Sequence, residues 1–195
     1  MVTQDTSSIV IKKNVFSRLM PQPVIIKINS PRNPNSIVDT IDAIEPIFKT
    51  YLGIMSQFFD IYNFDKWCTS AIKNLDVYSN NDYCHIYVIK KTDIIIGFIF
   101  INEHLRFNND GLGVAEFFIQ NDYAKKGYGR KLAQFAFNRF PGPWEIAVTR
   151  KNKSGTLFWK QVISSYTHGH FSVKEKPTFK GSGFVFNNAN RESLD

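Results

Sequence analysis

The sequence predicts an α+β fold, a mixed and mostly antiparallel sheet flanked by helices. Three observations point there. Apolar residues recur on one helical face over 44–55, the texture turns to β from His85 onward, and later strands alternate with helical patterns instead of following one another directly. The resulting order is strand, helices, hairpin, strand, helix, strand, helix, strands. This differs from the strict βαβ alternation of an all-parallel sheet.

Taken from the N-terminus, residues 1–22 hold no sustained period and are expected to be an extension, closed by Pro21 and Pro23 before a first short strand, Val24 to Ile28. Asn29 to Ser36, rich in Pro, Asn and Ser, reads as a loop. Ile44, Ile47, Phe48, Tyr51, Leu52 and Met55 then mark the buried face of a helix, with Pro46 placed in its first turn. A second helix is expected over Asp65 to Leu75. His85 to Ile89 and Ile94 to Asn102 form a hairpin about the polar turn Lys90 to Asp93.

A third strand, Val114 to Gln120, follows Gly111 and Gly113. Leu132, Phe135, Ala136 and Phe140 then line a helix that ends at Pro141-Gly142. Strand Trp144 to Thr149 comes next. Phe158 with Val162, and Trp159 with Ile163, place a further helix, and Phe171 to Val173 and Phe179 to Phe186 close the sheet. One domain is expected over residues 23–188, followed by a tail over 189–195.

With 195 residues, 43% of them hydrophobic, the chain supports one well-buried core. Its formal charge of +7 favours anionic partners without choosing among them. The basic residues are dispersed, and Lys90-Lys91 and Lys125-Lys126 are only pairs, so nucleic acid binding is not favoured. Two cysteines, Cys68 and Cys84, fit neither a disulfide framework nor a zinc module, which suits a cytoplasmic setting. No apolar run reaches the roughly 18 to 20 residues of a membrane span, and the first eight residues lack the order of a signal peptide. A homodimer is compatible with the plentiful aromatics.

The stretch from Glu116 to Arg130 carries the most chemistry. A strand enters a turn where Gly127 and Gly129 keep side chains away, and a helix starts at once. Unpaired N–H groups and the positive end of the helix dipole make an anion site there, suited to a pyrophosphate, with Lys125, Lys126 and Arg130 beside it. The three-glycine dinucleotide fingerprint and the Gly-Lys-Ser/Thr ending of a P-loop are both absent. A Gly-x-Gly pair alone is equally explained by a structural turn.

Over residues 84 to 173 the sequence resembles the GNAT acetyltransferase family, whose signature Arg/Gln-x-x-Gly-x-Gly/Ala opens the helix after a central strand. The resemblance includes Ile96-Gly97-Phe98, Glu116-Phe117-Phe118, and Asn152 before Phe158-Trp159. It is most similar to a subgroup of predicted acetyltransferases, through Arg139-Phe140-Pro141-Gly142, Trp144-Glu145 and Tyr166-Thr167-His168-Gly169-His170-Phe171. The resemblance implies a strand carrying Phe118, Ile119 and Gln120 that splays from its neighbour and pairs its backbone with the pantetheine arm of acetyl-CoA. Lys125, Lys126, Gly127, Tyr128, Gly129 and Arg130 would hold the pyrophosphate. Two positions depart from the pattern. Ala124 stands at the first motif position, and Trp159 where the family often has a Tyr that protonates the departing thiolate.

The resemblance implies N-acetylation of a primary amine, on a small molecule or a protein, by direct attack in a ternary complex without a metal. Ala124 and Trp159 also leave room for a non-catalytic acyl-CoA-binding module of the same shape. Glu116 is the candidate base or amine anchor, because an acidic residue inside an apolar strand is costly unless used; a structural ion pair or a cation site is the alternative. Tyr166 is the candidate acid, against the commoner role of a buried Tyr with a satisfied hydroxyl. Asn152 either caps the helix after it or reaches the cofactor. His168 and His170 alternate along an expected strand, but no carboxylate partner is evident and a metal site is not favoured. Cys84 has no His at a telling spacing and reads as a small packing residue.

Overall fold

In a computed structural model, residues 22–28, 41–79 and 81–189 are described. The expected extension, the Asn29–Ser36 loop and the tail lie outside them except for Gln22 and Ala189. Strand β1 is Val24–Lys27. Helices α1, Ile41–Met55, and α2, Phe64–Ser79, follow, joined through a short 3-10 turn at Ser56–Phe58. Then come β2, His85–Lys91, β3, Ile94–Asn102, and β4, Leu112–Ile119. After a 3-10 turn at Asn121–Tyr123 lie α3, Tyr128–Arg139, β5, Pro143–Thr149, and α4, Lys153–Tyr166. Strands β6, Ser172–Lys176, and β7, Phe179–Asn187, complete the sheet.

The strands line up as β1-β2-β3-β4-β5-β7-β6, antiparallel at every junction except β4 with β5. Helices cover both faces, which is why β2 and β3 read as continuous apolar runs. On one face Ile99 and Ile101 of β3 join Leu132 and Phe137 of α3 and Trp159 and Ile163 of α4. On the other, Phe98 and Phe100 pack against Ile44, Phe48, Tyr51 and Leu52 of α1 and Leu75 of α2. Burial of these side chains, worth about 1.5–3 kcal/mol each, sets the face of every element.

Helix α1 begins earlier than its apolar stripe, so Pro46 lies inside it and not in its first turn. The residue is exposed, so the hydrogen bond it forgoes falls on the side where water can reach the freed carbonyl. His168 and His170 sit in the turn after α4, with His168 at φ +52°, and β6 starts only at Ser172. The expected strand alternation of these two histidines does not occur. Among the described residues no helix is long and apolar enough to cross a membrane.

Candidate active site

The one parallel junction of the sheet is short. β4 and β5 pair only at Leu112 with Trp144 and Gly113 with Glu145, and beyond those residues the two strands part. The gap opens into a cavity of about 740 Å³, walled by Gly113 to Phe117 of β4, Glu145 to Thr149 of β5, and by α1 and α2. Within it the β3–β4 register slips: Phe100 faces Glu116 but Ile101 faces Val114, leaving Ala115 as a bulge. The slip puts Val114 toward the core of α3 and α4, while Glu116, two positions on, turns toward α1.

Glu116 accepts a hydrogen bond from the Tyr51 hydroxyl on α1. Burial raises its carboxyl to about 7, and the Tyr51 hydrogen bond opposes that rise. Tyr51 itself is pushed well above its ordinary value, by burial first and then by the Glu116 charge. Tyr78 of α2, also on the cavity wall, rises to about 12 by burial and the same charge, and its hydroxyl accepts from Asn102 Nδ2 at 2.6 Å. The result is a carboxyl poised near neutrality, beside two phenols that stay protonated.

Glu145, the other carboxylate on this wall, is only 3% exposed, and its oxygens take three backbone N–H groups, from Arg106 at 2.6 Å, Phe107 at 2.9 Å and Asn108 at 2.8 Å. It ties down the loop between β3 and β4. Trp159 closes the gap from the α4 side, its ring 4.8 Å from that of Phe117.

At the far end of β4 the chain turns through two left-handed residues, Lys125 at φ +57° and Gly127 at φ +85°, into α3. None of the backbone N–H groups from Lys125 to Arg130 has an acceptor among the described residues. Gly127 supplies the positive φ, while Gly129 lets Phe158 approach: a Cβ there would stand 3.1 Å from the ring. Lys126 is fastened back, Nζ to the Asp122 carbonyl at 2.7 Å, and the Arg130 guanidinium reaches Ser165 Oγ at 3.4 Å. Unpaired donors at a helix start beside basic side chains form an arrangement able to bind an anion.

Other expected site residues are distributed differently. Phe118 is buried against Tyr51 and Phe98, and Gln120 donates from Nε2 to the Ile95 carbonyl at 2.9 Å. Ile119 packs against the α3 and α4 core and approaches Gly129. The cavity wall on β4 ends at Phe117. Asn152 caps α4, its Oδ1 accepting from the Gly155 N–H at 2.8 Å, and it also lines the cavity.

Tyr166 lies elsewhere. Its hydroxyl donates to Asn138 Oδ1 at 2.8 Å and accepts from Asn188 Nδ2 at 3.1 Å, inside the core and away from the cavity wall. Tyr166, the expected acid, is thus placed as a buried tyrosine joining α4, α3 and the end of β7. Cys84 is half-buried just before β2, and burial pushes its thiol up, which does not favour a nucleophile. Among the described residues no three His, Cys, Asp or Glu side chains gather. Sequence reasoning missed Tyr51 as a partner of Glu116, Tyr78, and the anchoring by Glu145. The stripe on α1 placed Tyr51 inward, but nothing local marks a partner 65 positions away.

The architecture recurs among solved structures. The PaiA N-acetyltransferase from Thermoplasma acidophilum, solved in complex with coenzyme A, is similar at 12% identity and a TM-score of 0.62, over 85% of this chain and 99% of that one. An acetyltransferase from Thermus thermophilus gives 12% identity and 0.57, over 87% and 99%. An acetyltransferase of the GNAT family from Staphylococcus aureus gives 14% and 0.55, over 85% and 99%. At these identities the likeness shows the fold. No curated protein matches the chain in sequence. Residues 46–161, more than half of the chain, match the profile of the acetyltransferase (GNAT) family. The chain belongs to that family.

Proposed function

We propose that this acetyltransferase transfers an acetyl group from acetyl-CoA to a primary amine by direct attack in a ternary complex. The observation that carries the reading is the Glu116 carboxyl, held by Tyr51 and raised to about 7, on the wall of the cavity where β4 leaves β5. Acetyl-CoA as cosubstrate supplies the activated acyl group as a thioester. The N–H groups from Lys125 to Arg130, without acceptors among the described residues, suit its pyrophosphate, and the gap beyond Gly113 and Glu145 suits the pantetheine arm, with β4 backbone donors for the developing oxyanion. Amines arrive as ammonium ions, so attack requires a proton acceptor. A carboxyl near neutrality is matched to that task at physiological pH.

No protonating side chain is assigned to the thiolate. A thiol, with an ordinary pKa of about 8.5, is a fair leaving group that water can protonate. Trp159 at the usual acid position favours a second reading, a GNAT-shaped module that binds acyl-CoA without turnover. Thiol release from acetyl-CoA over a panel of amines, together with calorimetric titration of CoA, separates them. Thiol release abolished by Glu116→Gln supports transfer. CoA binding without release from any small or peptide amine supports the module, and absence of CoA binding sinks both.

A further inference from the structure

Part of the cavity wall is built from aromatic rings. Tyr51, Trp67 and Tyr78 of the two N-terminal helices line it, and Phe59 from the connector between them stands at its mouth. That connector is unusual on the surface. Of the eight large hydrophobic residues left exposed among those described, Phe59, Tyr62 and Phe64 all lie within six consecutive positions, and Phe64 packs on Trp67 at 6.0 Å between ring centres. Phe59 is the one of the three that lines the cavity, and an exposed aromatic there, beside a run of others in the connector, marks a recognition surface for an apolar body.

Charge at the same wall narrows the occupant. Among the described residues Glu116 and Glu145 alone bring carboxylates to it, and the oxygens of Glu145 are already taken by three backbone N–H groups. One carboxyl is left for a cation. Arg106 lies on the rim with its guanidinium 5.0 Å over the Phe179 ring, and Asp60, the acid nearest Phe59 in the connector, is paired with Lys151 at 2.9 Å. A polyamine or aminoglycoside would leave its second and later ammonium groups beside Arg106 without partners, at a cost each one adds to.

We infer that the acceptor is a primary monoamine of the arylalkylamine class, its ammonium at Glu116 and its ring between Trp67 and Phe59. This rests on the acetyl-transfer reading for the reaction but not for the binding. A flat ring against Trp67 and Phe59 gains area burial and ring stacking, while the single ammonium meets the one carboxyl that the described wall residues leave available. Transfer then forms one N–C bond and breaks the thioester C–S bond; of the two protons the ammonium loses, one goes to Glu116 and the other passes through water to the departing CoA thiolate.

The test pairs two readouts on the full-length chain. Phenylethylamine, tryptamine, spermidine and kanamycin are titrated calorimetrically into the protein saturated with CoA, and the same amines are assayed for thiol release from acetyl-CoA. The expected result is binding and turnover of both arylalkylamines with kcat/KM at least tenfold above spermidine and kanamycin. Trp67→Ala should raise KM for phenylethylamine about tenfold with kcat little changed. Phe59→Ala, at a position 46% exposed, should raise it several-fold. Preference for spermidine or kanamycin overturns the inference and leaves acetyl transfer standing. Binding of the arylalkylamines without thiol release from any amine upholds the inference and overturns the transfer reading. Failure of the arylalkylamines to bind overturns the inference, whatever other amine is acetylated.

Discussion

The Tyr51 hydroxyl donates a hydrogen bond to the Glu116 carboxylate, joining the first helix to the central strand across 65 positions of sequence. The bond stabilises the charged form of a carboxyl that burial would otherwise push higher still. Two substitutions separate these effects. Glu116→Gln should lower kcat/KM by about 10²–10⁴-fold and remove the ascending limb of the pH profile, which the parent enzyme should show near pH 7. Tyr51→Phe keeps the ring in the core and deletes only the donor, so the limb should move to higher pH, with activity lost at pH 7 and recovered on raising the pH. A pH series of thiol release on the three proteins reads both outcomes; a limb that moves down in Tyr51→Phe would contradict the assignment.

The same carboxyl should make stability depend on pH. Its folded value, about 7, stands above the ordinary 4.5, so between those values the folded state holds a proton that the unfolded state has released. The contribution is fully present below about pH 4.5 and is lost as pH rises through 7, by at most about 3 kcal/mol at 1.36 kcal/mol per unit. Water in the cavity screens part of it. Urea midpoints at pH 5 and pH 8.5 should therefore differ more in the parent protein than in Glu116→Gln, every other titrating group being common to both.

Tyr166→Phe should leave kcat/KM unchanged and cost about 1–2 kcal/mol, because Asn138 and Asn188 lose a hydroxyl partner in the core. Asn188 still bonds the Phe137 carbonyl and the Gly142 N–H, so β7 stays anchored. Parallel measurements of chemical denaturation and thiol release decide it. A fall in kcat at unchanged stability would restore the acid role to this residue.

Why the sequence alone does not place that tyrosine relative to the cleft is geometric. Tyr166 lies seven positions after Trp159, on the same buried face of the helix, and at 1.5 Å per residue its ring sits about 10 Å further along the axis. Periodicity reports the face and not the distance from the cleft. The stripe on the first helix, the hairpin and the glycine turn were legible because each depends on neighbours within a dozen residues. Ala115 was not, since a bulge exists only relative to the register of the strand beside it. Nor was Glu145, whose three N–H partners lie 37 to 39 residues upstream.

Glu145 supports a prediction of its own. Its carboxylate is buried and serves the Arg106, Phe107 and Asn108 N–H groups, so Glu145→Ala leaves three donors without an acceptor and opens a cavity under the loop. A loss of about 3–5 kcal/mol is expected, from the range for removing one member of a buried charged network. Glu145→Gln keeps one acceptor oxygen and should recover part of the loss. Thermal unfolding of both variants measures the difference, and equal stability of the alanine variant and the parent would show that the loop holds without this anchor.

The two glycines of the turn before α3 should fail in different ways. At Gly127 a Cβ meets nothing within 4 Å, so Gly127→Ala carries only the backbone cost of φ +85° for an L-residue, about 1–2 kcal/mol. Relief of that strain rotates the very N–H groups proposed to meet the pyrophosphate, and CoA should bind on the order of tenfold more weakly. At Gly129 the φ is helical but the Cβ would stand 3.1 Å from Phe158, so Gly129→Ala pushes α4 from α3 and acts on packing. Phe158→Leu should relieve the second defect and leave the first untouched. Calorimetric CoA titration and urea unfolding of Gly127→Ala, Gly129→Ala and each combined with Phe158→Leu test the distinction. Rescue of Gly127→Ala by Phe158→Leu would mean that the turn is set by helix packing and not by its own backbone.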